Sequence, residues 1–378
     1  MRVVLCTDGI VPHAMGGMQR HSRLLAEHLA KRPGIELTVI HPHGPGVFDP
    51  ALGIEEVHVA PIDVRRFYLR ELWTYSARVA AELERARPDV ILSQGFCVWK
   101  HIGRFTDRLV VMPHGLEMFQ MLTRKERLLG WPFRAALRYI VRRSAVVVSL
   151  GGLLTDVLQR LVRGTSCRVV VIPNAVDAPA VLPAPAPAGD GPLRLLFVGR
   201  FAFNKGLDVL MEVAQRIHAQ GSPNVRFLLA GDGPLLQHHR ERGLPGNVEV
   251  LGRVSDEQLG RLYAECDALV LPTRFEGMPT VVLEAMARAK PIFVSNVGAT
   301  AELVNMHNGY LLPPGDAPAL YNAVLAFAAR SREVHAKMGA YGRERVLERF
   351  TWPSVVHRFE EVMGSVCEPG GDRSRPKG

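Results

Sequence analysis

A stretch of fifteen residues in the middle of the chain, 178–192, holds five prolines among alanines and glycines. Proline donates no backbone hydrogen bond and fixes φ, so this stretch cannot be a helix interior or a central strand. On both sides of it, short apolar runs that predict buried strands alternate with amphipathic runs that predict helices. Short apolar strands between helices are typical of parallel sheets covered on both faces. The sequence therefore predicts two α/β domains joined by a linker at 179–192.

The apolar runs define two series of predicted strands. Six precede the linker: Val3–Cys6, Glu36–Ile40, Val90–Ser93, Leu109–Met112, Ala145–Ser149 and Val169–Ile172. Six follow it: Leu193–Val198, Val225–Ala230, Val248–Leu251, Ala268–Leu271, Ile292–Ser295 and Tyr310–Leu312. Helical patterns lie between them at Met18–Arg32, Arg66–Arg87, Leu207–Gln220, Asp256–Cys266 and Thr280–Ala289. We expect two doubly wound domains, 1–178 and 193–350, that face a shared cleft, and a disordered tail at 368–378.

Composition excludes several classes of protein. Hydrophobic residues make up 47% and charged residues 22% of the 378 residues, which is ordinary for a globular protein and not for a disordered or fibrous one. The five cysteines form no Cys-x-x-Cys pair, so neither a zinc finger nor a disulfide scaffold is indicated. No apolar stretch reaches the roughly 18 residues of a membrane span, and the first apolar run is too short for a signal peptide. These features predict a cytoplasmic protein with reduced thiols.

The positive charge is concentrated in one segment. The chain carries a formal net charge of +9, and residues 100–143 hold ten basic residues against three acidic ones. Seven of the ten lie in 124–143, where Phe133, Ala136, Leu137 and Ile140 form an apolar stripe at helical spacing. A basic amphipathic helix of this kind predicts contact with an anionic membrane surface. A helix that covers a sheet needs such a stripe too, so both readings remain open.

A loop with two cations follows the first strand of the second domain. Leu193–Val198 runs into Gly199, Arg200, Lys205 and Gly206. The Gly-Lys-Ser/Thr sequence of a P-loop is absent. An arginine fork and a lysine point charge at the carboxyl end of a strand favour phosphate binding, and two solvated loop cations are the alternative.

A second motif follows the strand at Ala268–Leu271. Glu276 lies in the loop, and Pro279 is well suited to the first position of the next helix. The amides of Gly277, Met278 and Thr280 would then form an anion site at a helix N-terminus. Glu284 lies about one turn further on. A carboxylate near a diphosphate is expected to bind hydroxyl groups, unless it only complements the helix dipole.

The first domain carries two weaker signals. His114 lies between Pro113 and Gly115, just past a predicted strand, and Gly16-Gly17 precedes the first helix. Paired glycines allow close approach of the backbone to a ligand. The chain has no Asp-x-Asp, which argues against a metal-bound nucleotide-sugar site, and no Gly-x-Gly-x-x-Gly, which argues against a dinucleotide dehydrogenase.

Taken in order, these motifs resemble the retaining glycosyltransferases of the GT-B fold, family 4. The resemblance spans about residues 1–366. The most specific motif is Glu-x7-Glu, formed by Glu276 and Glu284. The matching segments are Gly16–Arg20, Pro113–Gly115, Val171–Asp177, Gly199–Gly206, Glu276–Glu284, Ala299–Val304, Asn308–Asp316 and Arg349–Trp352. The resemblance also implies a last helix, at 351–367, that packs back on the first domain.

The resemblance implies a role for each candidate residue of the second domain. Arg200 and Lys205 would hold the donor diphosphate, together with the amides of the 277–280 turn. Glu276 would contact hydroxyls of the transferred sugar, and Glu284 the ribose. The nucleotide base would pack near Arg253 and Val254, close to the turn at Gly298–Glu302.

In the first domain, Gly16 and Gly17 would approach the phosphate, and His114 would lie beside the sugar at the reaction centre. No metal or other cofactor is expected, because cations and amides would stabilise the leaving diphosphate. The family implies front-face displacement with retention of configuration, in which the leaving phosphate helps to deprotonate the acceptor.

The predicted substrates are a nucleoside-diphosphate sugar, with a UDP-hexose favoured over GDP-mannose, and a cell-envelope glycan or lipid-linked acceptor such as lipopolysaccharide. The enzyme would work in the cytoplasm or at the inner face of the cytoplasmic membrane. Two alternatives remain: a nucleotide-sugar 2-epimerase of the same fold, and a non-catalytic nucleotide-sugar-binding protein. A nucleic-acid partner is not expected, because the second domain has nearly balanced charge.

Overall fold

The computed structural model describes residues 1–14, 16–63, 65–120, 124–182, 191–221, 223–241 and 243–368. The chain divides into two compact units: unit 1 holds Met1–Asn174 and the chain from Trp352 onward, and unit 2 holds Ala175–Thr351. The division falls before the predicted limit at 178, because the backbone N–H of Val176 donates to the Phe350 carbonyl oxygen in unit 2. Residues 183–190 of the predicted linker and 369–378 of the predicted tail lie outside the described residues.

Unit 1 is built on a parallel sheet of strand order β3-β2-β1-β4-β5-β6-β7. Its strands are β1 (Arg2–Cys6), β2 (Glu36–His41), β3 (Glu55–His58), β4 (Val90–Gln94), β5 (Leu109–Met112), β6 (Val146–Ser149) and β7 (Arg168–Val171). Its first helices are α1 (Gly17–Leu29), α2 (Tyr68–Ala86), α3 (Arg124–Leu129), α4 (Trp131–Val141) and α5 (Leu153–Val162). Strand β4 is buried along its whole length, as expected of a strand covered on both faces.

Unit 2 is built on a parallel sheet of strand order β10-β9-β8-β11-β12-β13. Its strands are β8 (Leu193–Val198), β9 (Val225–Ala230), β10 (Val248–Gly252), β11 (Ala268–Leu271), β12 (Ile292–Ser295) and β13 (Gly309–Leu312). Its helices are α6 (Leu207–Gln220), α7 (Leu235–Glu241), α8 (Asp256–Glu265), α9 (Thr280–Ala287), α10 (Thr300–Leu303), α11 (Ala317–Ala328) and α12 (Arg332–Arg349). Side chains of Ser255, Asp316 and Ser331 cap α8, α11 and α12.

The last helix, α13 (Trp352–Cys367), packs within unit 1. Its apolar face is buried and includes Trp352, Val356 and Phe359. The guanidinium of Arg32, just beyond α1, donates two hydrogen bonds to the Glu360 carboxylate, with Nε–Oε1 at 2.7 Å and Nη2–Oε2 at 2.8 Å. Unit 1 is therefore completed by a segment that follows unit 2 in the sequence.

All twelve predicted strands are confirmed to within one residue at each end. Strand β3 was not predicted, because two of its four residues are glutamates and it carries no apolar run. It lies at the edge of the sheet and is only partly buried. Edge strands need no continuous apolar sequence, which is why hydrophobic patterning misses them.

Of the two readings left open for the apolar stripe of α4, the structure supports the covering helix, because the stripe lies inside unit 1. Ala136, Leu137 and Ile140 are buried, and the Phe133 ring lies 6.0 Å from the Tyr68 ring, between centroids. The reading of α4 as an interfacial helix through this stripe is therefore wrong, because the stripe is used for packing. The exposed apolar side chains of this segment are others: Leu128, Leu129 and Trp131.

Not all cations of residues 124–143 are available to a partner. Arg134 donates to the backbone oxygens of Met118 and Arg127, and Arg142 donates to those of Leu161 and Arg163. Among the described side chains of this segment, exposed cations without a polar partner are Lys125, Arg127 and Arg138. No helix in the described part of the chain is long and apolar enough to cross a membrane.

Candidate active site

The strand order of unit 2 reverses between β8 and β11. At such a switch point the loops from the carboxyl ends of two parallel strands diverge and leave a crevice, where ligands of doubly wound sheets bind. Arg200 and Lys205 follow β8, and Glu276 follows β11. Arg253 follows β10 and Gly298 follows β12. The fold thus brings five predicted site residues to one edge of the sheet, on either side of the switch point.

Lys205 and Glu276 form an ion pair across this switch point. The distance from Lys205 Nζ to Glu276 Oε1 is 2.5 Å, and the two side chains are only 24% and 10% exposed. A charge-assisted hydrogen bond shielded from water is stronger than one on the surface. The pair holds one positive and one negative group side by side at the point where the fold favours a ligand.

A network that sequence reasoning missed joins the two loops. The carbonyl oxygen of Asn204 accepts hydrogen bonds from the Arg274 backbone N–H, at 2.7 Å, and from the Thr273 hydroxyl, at 2.8 Å. The Arg274 guanidinium donates two hydrogen bonds of 2.7 Å to the Asp208 carboxylate. Because Asn204 precedes Lys205 and Arg274 is two residues from Glu276, this network sets the geometry of the ion pair.

The Asp208 carboxylate is ionised in this network. Burial acts to raise its pKa, but hydrogen bonds and charge from Arg274, with backbone N–H donors, outweigh burial and hold the pKa below its ordinary value. Nothing in the sequence signals this contact, since the partners lie 66 residues apart and neither belongs to a motif with a recognised role.

The glycines of Gly231-Asp232-Gly233 shape the loop that carries Arg200. A Cβ added to Gly231 would lie 1.9 Å from the Gly199 carbonyl oxygen, and one added to Gly233 would lie 2.5 Å from the Phe201 carbonyl oxygen. The Phe201 N–H also donates to the Asp232 carbonyl oxygen at 2.9 Å. Only glycine permits this close approach of two backbones. Arg200 itself is exposed and has no polar side-chain partner among the described residues.

The N-terminus of α9 lies in the second loop. Pro279 is the N-cap and Thr280 the first helical residue, so the prediction of Pro279 at the first position is wrong by one residue. The Ala299 N–H donates to the Gly277 carbonyl oxygen at 2.8 Å, and a Cβ on Gly298 would lie 2.2 Å from the Glu276 carbonyl oxygen. The 298–299 turn therefore packs directly on the Glu276–Gly277 backbone. Met278, the residue after Gly277, is buried.

Glu284 lies in the second turn of α9. The helix dipole acts mainly on the first turn, so dipole complementation is a poor explanation of this carboxylate. Its Oε2 accepts a hydrogen bond of 3.0 Å from the hydroxyl of Tyr263, a buried residue of α8. Burial raises the pKa of Tyr263 well above its ordinary value, and the neighbouring Glu284 charge raises it further. Tyr263 therefore stays protonated and fixes the orientation of Glu284.

Arg253 extends from the end of β10, and its side chain is 85% exposed. Its Nε lies 3.5 Å from Asp232 Oδ2, so it is linked to the same turn that shapes the Arg200 loop. Val254, the next residue, is partly buried. Among the described residues no group of three or more His, Cys, Asp or Glu side chains is arranged to hold a metal ion.

In unit 1, Gly16 and Gly17 connect β1 to α1 at the switch point between β1 and β4. Gly16 is the N-cap of α1, with an extended backbone. A Cβ on Gly17 would meet no heavy atom within 4 Å. Packing inside unit 1 therefore does not require glycine at position 17, and its backbone is open on that side.

His114 follows β5 with a φ of 54°, in the left-handed region that residues other than glycine seldom adopt. Its Nε2 hydrogen-bonds to Oε1 of Gln94 at the end of β4. The tautomer that donates to this amide oxygen carries its proton on Nε2 and keeps the lone pair on Nδ1. Burial holds the pKa of His114 well below its ordinary value, and the nearby His21 lowers it further, so the ring is neutral. Backbone strain of this kind is concentrated at functional sites.

Comparison with known proteins matches both units to glycosyltransferase families. The family model described as Glycosyltransferase Family 4 matches residues 15–178, and the one described as Glycosyl transferases group 1 matches residues 192–330. The 2-deoxystreptamine N-acetyl-D-glucosaminyltransferase of Streptomyces fradiae is 29% identical over 95% of this chain and 93% of its own. The gpi3 subunit of the phosphatidylinositol N-acetylglucosaminyltransferase of Schizosaccharomyces pombe is 31% identical over 53% of this chain, which spans 44% of that relative.

Two solved structures share the fold. Sucrose-phosphate synthase from Thermosynechococcus elongatus superposes with a TM-score of 0.81 at 21% identity, over 97% of this chain and 98% of its own. Anabaena HepE, solved in complex with UDP and glucose, superposes with a TM-score of 0.71 at 19% identity, over 97% of this chain and 100% of its own. The chain has the fold of the GT-B glycosyltransferases. Its first unit matches the family 4 glycosyltransferases and its second unit the group 1 glycosyltransferases, and the chain is a glycosyltransferase.

Proposed function

We propose that the protein is a retaining glycosyltransferase that moves a hexose from a UDP-sugar to a cell-envelope glycan or lipid-linked acceptor. The observation that carries this proposal is the Lys205–Glu276 ion pair at the switch point of unit 2. A cation and a carboxylate in contact suit the groups on the two sides of the scissile bond of a nucleotide sugar, which are the diphosphate and the sugar hydroxyls. Lys205 binds the diphosphate, and Glu276 accepts hydrogen bonds from sugar hydroxyls.

The charges of unit 2 are suited to such a donor. A bound diphosphate adds negative charge beside Glu276, so one lysine that is already paired would be insufficient. Arg200 supplies a second cation that is exposed and unpaired among the described residues, and the first amides of α9 lack intrahelical acceptors. These groups stabilise the leaving diphosphate electrostatically, usually the largest contribution in such transfers. We therefore expect no metal requirement and full activity in EDTA.

The remaining residues of unit 2 recognise the nucleotide. Glu284, held by Tyr263, accepts hydrogen bonds from the ribose hydroxyls. The base lies near Arg253 and Val254, beside the Gly298–Glu302 turn. UDP is favoured as the nucleotide, and HepE, which shares the fold, is solved with UDP. Both relatives named above are N-acetylglucosaminyltransferases, so UDP-N-acetylglucosamine belongs in the donor panel beside UDP-glucose and GDP-mannose.

His114 acts on the transferred sugar, and Gly16 and Gly17 allow a phosphate to approach the backbone of unit 1. A neutral His114 with a lone pair on Nδ1 accepts a hydrogen bond from a sugar hydroxyl without adding charge. Displacement occurs on the front face of the sugar: the bond from the anomeric carbon to the diphosphate oxygen breaks as the acceptor oxygen attaches. The acceptor proton passes to the leaving phosphate.

The acceptor is associated with an anionic membrane. Support comes from the exposed Leu128, Leu129 and Trp131, which lie on the same segment as the unpaired cations Lys125, Arg127 and Arg138. Each cation near an anionic surface contributes about 1 kcal/mol. We expect co-sedimentation with anionic vesicles that is weakened by salt and by the double substitution Lys125→Glu/Arg127→Glu. Arg226→Glu/Arg261→Glu, at exposed positions of unit 2, is the control. Equal binding to neutral and anionic vesicles at low salt would refute the association with an anionic membrane.

The transfer itself is tested by incubating the pure protein with the donor panel, with and without cell-envelope extract. Release of nucleoside diphosphate that depends on the extract supports transfer. Release without acceptor, with an epimerised sugar as the product, would indicate a 2-epimerase instead. Donor binding without any turnover would indicate a non-catalytic binding protein.

A further inference from the structure

His114 contacts a second buried histidine that the proposed function leaves without a role. His21, on α1, is 5% exposed, and its ring centroid lies 5.0 Å from that of His114, with the two planes at 74°. The edge of one ring therefore packs against the face of the other. Among the described residues, the polar and ring contacts of the His114 side chain are the hydrogen bond to Gln94 and this contact with His21.

The first residue of α13 lies on the other side of His21. The Trp352 ring centroid lies 5.5 Å from the His21 ring centroid. It also stacks on His28 at 5.0 Å, with nearly parallel planes. His21 and His28 are seven residues apart, two turns of α1, so they lie on the same face of the helix. Trp352 is 1% exposed and packs against this face.

The surroundings of the two imidazoles are apolar. Both line a cavity of about 10 Å³, roughly the space of one water molecule. The other residues that line it come from β5, from the end of β6, from the chain after β7 and from α13: Met112, Val148, Leu150, Ile172 and Phe359. These five residues have no ionisable side chain, and neither do Gln94 and Trp352, the other described neighbours of the two rings. Burial lowers the pKa of His21 to about 4 and that of His114 well below its ordinary value.

We propose that His21 is a positioning residue for His114: its ring, held against Trp352 of α13, fixes the His114 imidazole and shields one side of it from bulk water. The chain of contacts Trp352–His21–His114–Gln94 leaves the His114 ring little freedom to rotate. The last helix of the chain thereby contributes to the candidate active site without touching a substrate.

This inference rests on the proposed function of His114, and its first test does not require turnover. The titration of His114 is followed by NMR in protein labelled with ¹³C-histidine, with His114→Gln to assign the signal. In the unmodified protein the His114 signal should keep the chemical shift of a neutral imidazole at pH values well below 6.5. In His21→Ala, water reaches the ring and its pKa should rise by about one unit or more.

Activity provides the second readout. His21→Ala should lower kcat about tenfold through loss of positioning, with unchanged affinity for bare UDP. His21→Phe keeps a ring between Trp352 and His114 and should restore most of kcat and the low pKa of His114.

Trp352→Leu should shift the His114 titration in the same direction as His21→Ala, and this variant replaces His21→Ala in the test if His21→Ala does not fold. His43→Ala, at a partly buried histidine of unit 1 that contacts His13 and His41, is the matched control and should change neither readout.

The positioning role is overturned if the His114 titration is the same in His21→Ala and the unmodified protein, or if His21→Phe is as defective as His21→Ala. Loss of the proposed function is a separate outcome. If His114→Gln retains full transfer, His114 has no part in the reaction, while the titration still decides whether His21 controls its environment.

Discussion

Lys205 Nζ and Glu276 Oε1 lie 2.5 Å apart although the residues are separated by 71 positions in the sequence. The contact joins the loops that follow β8 and β11, the two neighbouring parallel strands between which the strand order of unit 2 reverses. In the proposed function Lys205 binds the diphosphate and Glu276 binds sugar hydroxyls, so this ion pair would hold the two groups side by side.

Substitutions at Lys205 and Arg200 should each lower the activity. Lys205→Ala should lower turnover by about 10²–10³-fold, the range seen when one donor to a developing charge is removed. Arg200→Lys should also be impaired, because a lysine cannot replace the guanidinium fork. Steady-state kinetics checks both variants, with Lys337→Ala, an exposed lysine of α12, as the control. Near wild-type rates in a folded Lys205→Ala protein would mean that the loop between β8 and α6 is solvated surface and does not bind the diphosphate.

The two glutamates should separate sugar recognition from nucleotide recognition. Glu284→Gln should weaken binding of bare UDP by roughly 1.5–3 kcal/mol, the cost of losing a charged hydrogen bond. Glu276→Gln should leave bare UDP binding largely intact and weaken the complete donor. Calorimetry with both ligands measures each loss, and Tyr263→Phe should reproduce a smaller part of the Glu284→Gln defect. Equal losses on both ligands in both glutamate variants would refute this division of roles.

The Arg274–Asp208 pair should act on catalysis through Lys205 and Glu276. Arg274→Lys and Asp208→Asn each remove the bidentate contact, and each should lower the free energy of unfolding by about 1–3 kcal/mol. A shift of the joined loops should also lower kcat, by up to about 10²-fold. Because both substitutions break one interaction, the double variant should be little worse than either single one. Additive losses in urea denaturation and in kinetics would mean that the two residues act independently.

The fold was largely predictable because its strands are apolar and its linker is rich in proline. Local sequence also predicted that Arg200, Lys205 and Glu276 lie in loops that follow strands and that Glu284 lies on the next helix, as the structure places them; their roles stay predictions. The supporting groups were not predictable. Arg274, Asp208, Tyr263 and Gln94 act through contacts between distant segments, and no local pattern marks them. The stripe on α4 illustrates the opposite limit: amphipathic spacing does not reveal whether an apolar face meets lipid or the protein's own core.

Stability should fall as the pH is lowered from about 6.5 towards 4. The pKa of His21 is about 4 in the folded protein and about 6.5 in an unfolded chain. Between these values the unfolded state binds a proton that the folded state does not, so acid favours unfolding. From pH 7 to pH 5, His21→Phe should lose about 2 kcal/mol less of its unfolding free energy than the unmodified protein. Urea denaturation at both pH values measures this, and equal losses would contradict a buried, neutral His21.

The anomeric configuration of the product distinguishes retaining from inverting transfer. The donor sugar is transferred to an acceptor from cell-envelope extract, and the coupling constant of the anomeric proton in the purified product is measured by NMR. Front-face displacement, assisted by the leaving phosphate held by Arg200 and Lys205, predicts the same anomeric configuration as in the donor, and predicts that Lys205→Ala forms this product about 10²–10³-fold more slowly. An inverted product, or transfer that is unaffected by Lys205→Ala, would contradict the account.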